Sequence, residues 1–253
     1  GGEKMARHGV EWARLAEDLF VVVEQLQLFD AFFFGHSIGG GIALELSITF
    51  PGTFPLMYLF EPVVFPPPEE THPRYAKDGK AYRVEADILS AAAKKKKWMF
   101  NTRAEAESHF RVHRPVCDFT KPARNAFIAT GLKPIDADSG KRGLMLACHP
   151  EAESATYQAA RGSTTVWDRL KVLECHVAVV HSKAEVMPAR FAQKLAHAIP
   201  RGAAAELECW EHDEKSKVGH MAPLQKPREV AASMVKFFLG AGGSMPGERW
   251  SRL

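Results

Sequence analysis

A glycine-rich segment early in the chain, Gly35-His36-Ser37-Ile38-Gly39-Gly40-Gly41, separates two apolar segments of different periodicity. Before it, Ala31 to Phe34 is apolar throughout, which is typical of a strand buried on both faces of a parallel sheet. After it, Ile42 to Phe50 has helical spacing until Pro51-Gly52 ends it. Leu56 to Phe60 predicts a second buried strand. Strand, turn, helix and strand in this order predict a βαβ unit, and therefore an α/β fold with a mostly parallel sheet.

The flanking sequence extends this pattern in both directions. Glu11 to Leu28 carries apolar residues at helical spacing and predicts an amphipathic helix before the first strand. Much later, Val177 to Val180 and Ala205 to Trp210 predict two more strands. Helices are expected over Ala189 to Ile199 and over Arg228 to Leu239. The sheet pattern is thus interrupted and then resumed.

The interrupting segment begins at Pro66-Pro67-Pro68 and is polar, helical and irregular. It contains one long predicted helix, Tyr82 to Trp98, and a predicted capping box at Thr102-Arg103-Ala104-Glu105. An insertion between strands is the simplest explanation. We therefore divide the chain into residues 1–65 and 168–253, which form the sheet core, and residues 66–167, which form an inserted helical lid.

The glycine-rich segment also fits the pattern G-x-S-x-G between a strand and a helix, which is the context that this motif requires. The turn exposes the serine hydroxyl beside a helix N-terminus, where the helix dipole favours negative charge. Ser37 is therefore the candidate nucleophile.

A serine needs a histidine base to become a good nucleophile. His220, in the segment Val218 to Pro223, follows the last predicted strand and precedes the last helix. That loop lies at the carboxyl end of a strand, where open parallel sheets bind their ligands. His220 is therefore the candidate base, and His212 is the alternative.

Three segments together resemble the α/β-hydrolase fold superfamily: Gly35 to Gly40, Leu59-Phe60-Glu61-Pro62, and Gly219-His220. The chain is most similar to the lidded, serine-nucleophile, esterase-like branch. The resemblance implies a parallel sheet with helices on both faces, an inserted lid and a catalytic triad without metal or cofactor. Ser37 argues against dehalogenase and epoxide-hydrolase chemistry, because those members attack with aspartate.

The resemblance leaves the triad acid open between two glutamates. Members of this superfamily carry the acid after the strand that follows the lid, or after the strand that follows the nucleophile. Glu61 stands at the second place. At the first place the usual position is Ala184, and Glu185 comes one residue later. Asp213 is a further alternative.

The resemblance also implies strands that are absent from the front of this sequence. Superfamily members begin with about four strands and a His-Gly loop that supplies half of the oxyanion hole. Here the amide of Ile38 is the oxyanion donor that remains. We therefore expect a chain that lacks its N-terminal strands, with Ala31 to Phe34 near an open sheet edge and poor solubility as a consequence.

Composition limits the remaining possibilities. The 253 residues carry a formal net charge of +3, too small to indicate a nucleic-acid partner, and the run Lys94 to Lys97 is typical of a solvated helix face. No apolar run approaches the ~20 residues of a membrane span. The four cysteines form no C-x-x-C pair, which favours reduced thiols and a cytoplasmic location.

The sequence thus predicts a serine hydrolase that acts on a small-molecule carboxylic ester or related acyl compound. Two alternatives remain. One is a non-catalytic protein of this fold that binds a ligand or a partner, and the other is an acyltransferase or C–C hydrolase with the same triad. The oligomeric state is unknown.

Overall fold

A computed structural model describes residues 11–65, 81–135, 142–160, 164–182, 187–207 and 218–242. The chain divides into two compact units. One, the sheet unit, comprises Trp12–His72 and Ser163–Leu253, and the other, the inserted unit, comprises Gly1–Glu11 and Pro73–Gly162.

The first half of the sheet unit is the predicted βαβ unit preceded by a helix. Helix α1 (Trp12–Gln25) leads to strand β1 (Phe32–His36), helix α2 (Ile38–Thr49) and strand β2 (Leu56–Phe60). β1 and β2 pair in parallel. The prediction from apolar runs and glycine punctuation is therefore confirmed.

The inserted unit has more strand than the sequence predicts. Its elements are α3 (Ala81–Lys95), β3 (Met99–Phe100), α4 (Arg103–Val112), α5 (Lys121–Thr130), β4 (Leu132–Pro134), β5 (Leu144–Leu146) and α6 (Pro150–Ala159), with a 3-10 turn at Val116–Asp118. Its three strands form an antiparallel sheet in the order β3-β5-β4. The sequence analysis predicts helices and irregular segments here but not these strands, because strands of two or three residues are too short to show an alternating pattern.

Local contacts inside this unit concern two smaller predictions, the capping box at Thr102 and the lysine run. The Thr102 hydroxyl accepts a hydrogen bond from the Glu105 amide at 3.1 Å, although the Glu105 carboxylate accepts from Asn101 rather than closing a capping box. In the lysine run, Lys97 pairs with Glu105 and Lys94 with Glu151. The run is thus at least partly neutralised by carboxylates of the same unit.

The second half of the sheet unit completes a four-stranded parallel sheet. Its elements are α7 (Thr164–Trp167), a 3-10 turn at Leu170–Val172, β6 (His176–His181), α8 (Ala189–His197), β7 (Gly202–Glu206), α9 (Ala222–Gln225) and α10 (Pro227–Gly242). The strand order is β1-β2-β6-β7, and every neighbouring pair is parallel.

The position of β7 is a correction. The sequence predicts a strand over Ala205 to Trp210, whereas the strand spans Gly202–Glu206 and residues 208–210 lie outside the described part of the chain. Glycine and three alanines have low strand propensity, so tertiary pairing with β6 forms this strand.

Helices cover both faces of the sheet because side chains alternate along each strand. Met57, Leu59, Val177 and Val179 pack in one cluster with residues of α1, α2 and α8. The alternate residues Tyr58, Phe60, Ala178 and Val180 pack on the other face with residues of α9 and α10. This arrangement buries β2 along its whole length.

Strand β1 lies at one edge of this sheet. Phe32 and Phe34 are each 36% exposed, unlike the buried residues of β2. Within the described residues, no helix combines the length and apolarity needed to cross a membrane.

Candidate active site

Ser37 occupies a sharp turn between β1 and α2, because β1 ends at His36 and α2 begins at Ile38. Its backbone angles are φ 56° and ψ −123°, a conformation that disfavours residues with a side chain. The turn is held by backbone hydrogen bonds at 3.0 Å, from Ser37 N–H to the Phe60 carbonyl and from Val63 N–H to the Ser37 carbonyl. The serine is thus fixed to the end of the neighbouring strand.

Close packing explains most of the glycines around this turn. A Cβ at Gly35 would lie 2.8 Å from the Gly40 Cα, and a Cβ at Gly40 would lie 2.7 Å from the Pro62 Cβ. At Gly41 it would lie 2.3 Å from both the Trp12 ring and the Val63 carbonyl oxygen.

Gly39 behaves differently, because a Cβ added there meets nothing within 4 Å. The second glycine of the G-x-S-x-G pattern is therefore the one that packing does not require. Gly40 and Gly41, which the pattern omits, allow the helix to approach its neighbours.

His220 lies beside Ser37. Its Nε2 is 2.9 Å from the Ser37 hydroxyl oxygen, and its Nδ1 is 2.8 Å from Oε2 of Glu61. A carboxylate accepts hydrogen bonds, so Nδ1 carries the proton and Nε2 is free to accept from the serine hydroxyl. This is the tautomer that a general base needs.

Glu61 directly follows β2 and is 2% exposed. Its backbone also adopts positive φ, at 43°, and its N–H donates to the Val180 carbonyl at 2.7 Å. The carboxylate is therefore aimed from the carboxyl end of β2 towards His220. Of the two glutamates expected to contact the histidine, Glu61 is the one observed to do so. Glu185, like His212 and Asp213, lies outside the described residues.

Ser182 is a partner of Glu61 that the sequence analysis missed. Oε1 of Glu61 accepts two hydrogen bonds from Ser182, one from its N–H at 2.9 Å and one from its hydroxyl at 2.6 Å. Ser182 is buried at the end of β6, the strand adjacent to β2. A single serine after a strand has no distinguishing pattern, and only its adjacency to Glu61 could have indicated it.

These contacts set the charge of Glu61. Burial alone would raise the pKa of its carboxyl, but the hydrogen bonds from His220 and Ser182 outweigh burial and lower that pKa. Glu61 is therefore ionised at neutral pH, and it lies where it can stabilise a positive charge on His220.

Ile38, the expected oxyanion donor, is the first residue of α2. The first amides of a helix have no carbonyl partner inside the helix and point outward with the positive end of its dipole. The Ile38 N–H is thus a donor next to the serine. Among the described residues, no cluster of three or more His, Cys, Asp or Glu side chains could hold a metal ion.

A separate cavity of about 540 Å³ lies at the opposite end of the sheet. Its lining includes Pro55 and His176, at the amino ends of β2 and β6. The serine, the histidine and the glutamate converge instead at the carboxyl ends of the strands, the edge where open parallel sheets bind ligands. The cavity is therefore distinct from this site.

Comparison with solved structures identifies the architecture. A peroxisomal α/β-hydrolase from Saccharomyces cerevisiae superposes with a TM-score of 0.72 at 14% identity, covering 96% of this chain and 65% of the yeast chain. An E-2-(acetamidomethylene)succinate hydrolase superposes with a TM-score of 0.66 at 16% identity, and the match covers 91% of this chain and 74% of the hydrolase chain. A thermophilic esterase from Thermogutta terrifontis superposes with a TM-score of 0.58 at 15% identity, and the match covers 92% of this chain and 73% of the esterase chain.

The chain therefore has the α/β-hydrolase fold, as its sequence predicts, and it spans 65% of the length of the yeast protein. No protein-family profile and no curated protein sequence matches it.

Proposed function

We propose that this protein is a serine-nucleophile hydrolase of carboxylic esters or related acyl compounds. The observation that carries the proposal is the continuous hydrogen-bonded chain from Ser37 through His220 to Glu61. Three residues separated in sequence meet at the carboxyl edge of a parallel sheet with the geometry that nucleophilic catalysis needs.

In the first half of the reaction, the Ser37 oxygen attacks the acyl carbon while His220 Nε2 takes the hydroxyl proton. The negative charge that develops on the carbonyl oxygen is stabilised by the Ile38 N–H. Glu61 stabilises the imidazolium through Nδ1–H. His220 then returns the proton to the leaving alcohol, so that an acyl-serine remains.

In the second half, water replaces the alcohol. His220 takes a proton from the water as it attacks the acyl-serine, and it returns that proton to the Ser37 oxygen as the acid product leaves. The enzyme is thereby regenerated with no net change in protonation. Besides the substrate and water, these steps use only Ser37, His220, Glu61 and the Ile38 amide.

The names of two of the similar solved structures support the proposed reaction class. They are an esterase from Thermogutta terrifontis and a thioesterase domain from a curacin biosynthetic pathway, and both names denote acyl transfer to water. Because their identity to this chain is 15% and 13%, they supply no substrate, and we propose only the acyl class.

The test is covalent labelling with a fluorophosphonate, which reacts with an activated serine. Wild-type protein should be labelled at Ser37, as located by peptide mass spectrometry, and Ser37→Ala and His220→Gln should not. Ser47→Ala is the matched control, since Ser47 is a buried serine of α2 whose hydroxyl contacts the Met57 sulfur. A folded wild-type protein that resists labelling would contradict the proposal and favour a non-catalytic binding protein.

A panel of esters, thioesters and 1,3-diketones then distinguishes the reactions that share this triad. Hydrolysis of esters supports the proposal, whereas cleavage of carbon–carbon bonds or transfer to an added alcohol would replace it.

A further inference from the structure

We propose that His36 is a positioning residue, whose ring holds the loop that carries His220 against the sheet. This inference rests on the proposed function, because its importance follows from the role of His220 as the base. The sequence motif treats His36 as a variable residue, so nothing in the motif assigns it a task.

The geometry consists of one hydrogen bond and one ring contact. His36 Nε2 lies 2.7 Å from the backbone carbonyl oxygen of His220, and the centroids of the two rings are 4.7 Å apart. A carbonyl oxygen only accepts, so Nε2 of His36 carries the proton and donates it.

The two ends of this hydrogen bond differ in how they are held. His36 is the last residue of β1, paired with Phe60 of β2, so its position is set by the sheet. His220 lies in the short loop before α9, and two other hydrogen bonds of that loop join it only to the adjacent α9, from Gly219 N–H to Gln225 Oε1 and from Ala222 N–H to the Gly219 carbonyl. The His36 ring thus connects the loop backbone directly to the strand that carries Ser37.

This connection complements the contacts of the His220 ring. Ser37 and Glu61 fix the two ring nitrogens, whereas His36 fixes the backbone from which the ring projects. With the ring and the backbone of His220 both held, the distance from His220 Nε2 to the Ser37 hydroxyl oxygen depends on the sheet rather than on the loop.

The charge of His36 suits this role. Burial and the nearby His220 lower the pKa of the His36 ring, although the hydrogen bond to His220 and the Glu61 carboxylate oppose this shift. His36 is therefore neutral at neutral pH. A lysine or arginine could donate to the same carbonyl, but its positive charge would disfavour the imidazolium that His220 becomes during the reaction.

The test compares variants that differ in the donor. In His36→Gln the side-chain amide can take the place of Nε2–H, whereas His36→Phe fills the space without a donor and His36→Asn is too short to reach. We expect His36→Phe and His36→Asn to lower kcat about tenfold, the effect of one lost hydrogen bond, with KM unchanged. His36→Gln should keep kcat near the wild-type value, and His176→Phe, a change at the far end of the sheet, is the control.

A readout independent of turnover is the nuclear magnetic resonance signal of the His220 ring, assigned through His220→Gln. Wild type and His36→Gln should show one sharp set of ring signals, and His36→Phe and His36→Asn should show broadened or multiple sets. A purely structural role would instead lower the melting temperature and leave the ring signals of the folded protein unchanged.

The two proposals fail in different ways. A wild-type protein that neither reacts with fluorophosphonate nor hydrolyses esters would contradict the proposed function, and the ring signals would still decide the positioning role. Unchanged kcat together with unchanged ring signals in folded His36→Phe and His36→Asn would overturn the inference about His36.

Discussion

Each oxygen of the Glu61 carboxylate has its own partner. Oε2 accepts from His220, and Oε1 accepts twice from Ser182. The hydrogen bonds to both oxygens therefore restrain rotation of the carboxylate and keep Oε2 directed at His220. Orientation of His220, the proposed base, therefore depends on residues at the ends of two adjacent strands, β2 and β6.

Replacement of Glu61 tests its role as the orienting acid. Glu61→Gln keeps the shape but presents an amide to His220, which favours the wrong tautomer, and we expect kcat to fall by about 10⁴. The measurement is steady-state ester hydrolysis. Glu185→Gln is the control and should lower kcat little. If Glu185→Gln lowered kcat more than Glu61→Gln, the role of orienting acid would belong to Glu185.

Acid should destabilise the wild type more than the Glu61→Gln variant. The folded state lowers the Glu61 pKa, so its contribution to the free energy of unfolding is present above the unfolded value of about 4.3. That contribution is lost as the pH falls through the lower, folded value. Urea unfolding at a series of pH values should show a steeper loss for wild type in this range, and parallel curves would contradict the assignment.

The residues at this site differ in how far sequence reveals them. Ser37 lies in a motif, and His220 and Glu61 follow predicted strands, so their convergence at one sheet edge could be predicted. Ser182 and His36 could not, because their importance comes from hydrogen bonds to a carboxylate and to a backbone carbonyl. Such hydrogen bonds depend on proximity in the folded structure and give no characteristic residue spacing in the sequence.

At the scale of elements, the approach of α2 to its neighbours decides where the serine turn lies. Gly40 faces Pro62, and Gly41 faces Trp12 of α1 and the backbone after β2. Small residues at these positions let the helix begin directly above the strand ends. Since Gly39 has open space, the same helix offers a comparison between a packed and an unpacked glycine.

Gly41→Ala should be destabilising and Gly39→Ala should not. The methyl group added by Gly41→Ala would lie 2.3 Å from the Val63 carbonyl oxygen, a backbone atom with little freedom to move. Overpacking of this kind lowers the free energy of unfolding by about 1–3 kcal/mol. At Gly39 the higher helix propensity of alanine should leave stability unchanged or raise it by up to about 1 kcal/mol. The free energies of unfolding in urea check both, and equal values would show that α2 can shift to accommodate the methyl.

Elements with strong apolar patterns were predictable, and those formed by tertiary pairing were not. β2 has the predicted bounds because five consecutive apolar residues are buried on both faces. β7 is an alanine-rich strand that forms because β6 offers its edge, and its location was predicted about three residues too late. The small sheet of the inserted unit was missed because each of its strands has only two or three residues.

At the scale of the molecule, the sheet edge formed by β1 carries partly exposed apolar side chains. Phe32 and Phe34 are partly exposed on this strand, and Leu26 and Phe29 are exposed in the segment that leads to it. Strand edges with apolar side chains promote association between chains. We therefore expect this chain to self-associate through β1.

A charge at this edge should reduce association. Phe34→Lys places a cation on β1, and we expect a larger monomer fraction in sedimentation velocity than for wild type. Val112→Lys is the control, because Val112 is a 71% exposed apolar residue of the inserted unit and is not part of β1. If both lysine variants changed the monomer fraction equally, general solubility rather than the β1 edge would be responsible.

The backbone angles of Ser37 affect which residue selection favours at this position. A residue with a side chain at φ 56° and ψ −123° carries strain of about 1–3 kcal/mol that glycine would avoid. Ser37→Gly should therefore be more stable than Ser37→Ala by about 1 kcal/mol in thermal unfolding, although both lack the hydroxyl. Selection for stability alone would drive position 37 towards glycine. If the proposed reaction is correct, a lineage that no longer used the Ser37 hydroxyl would gain stability by losing it, and a serine at positive φ is then expected only where its reactivity is selected.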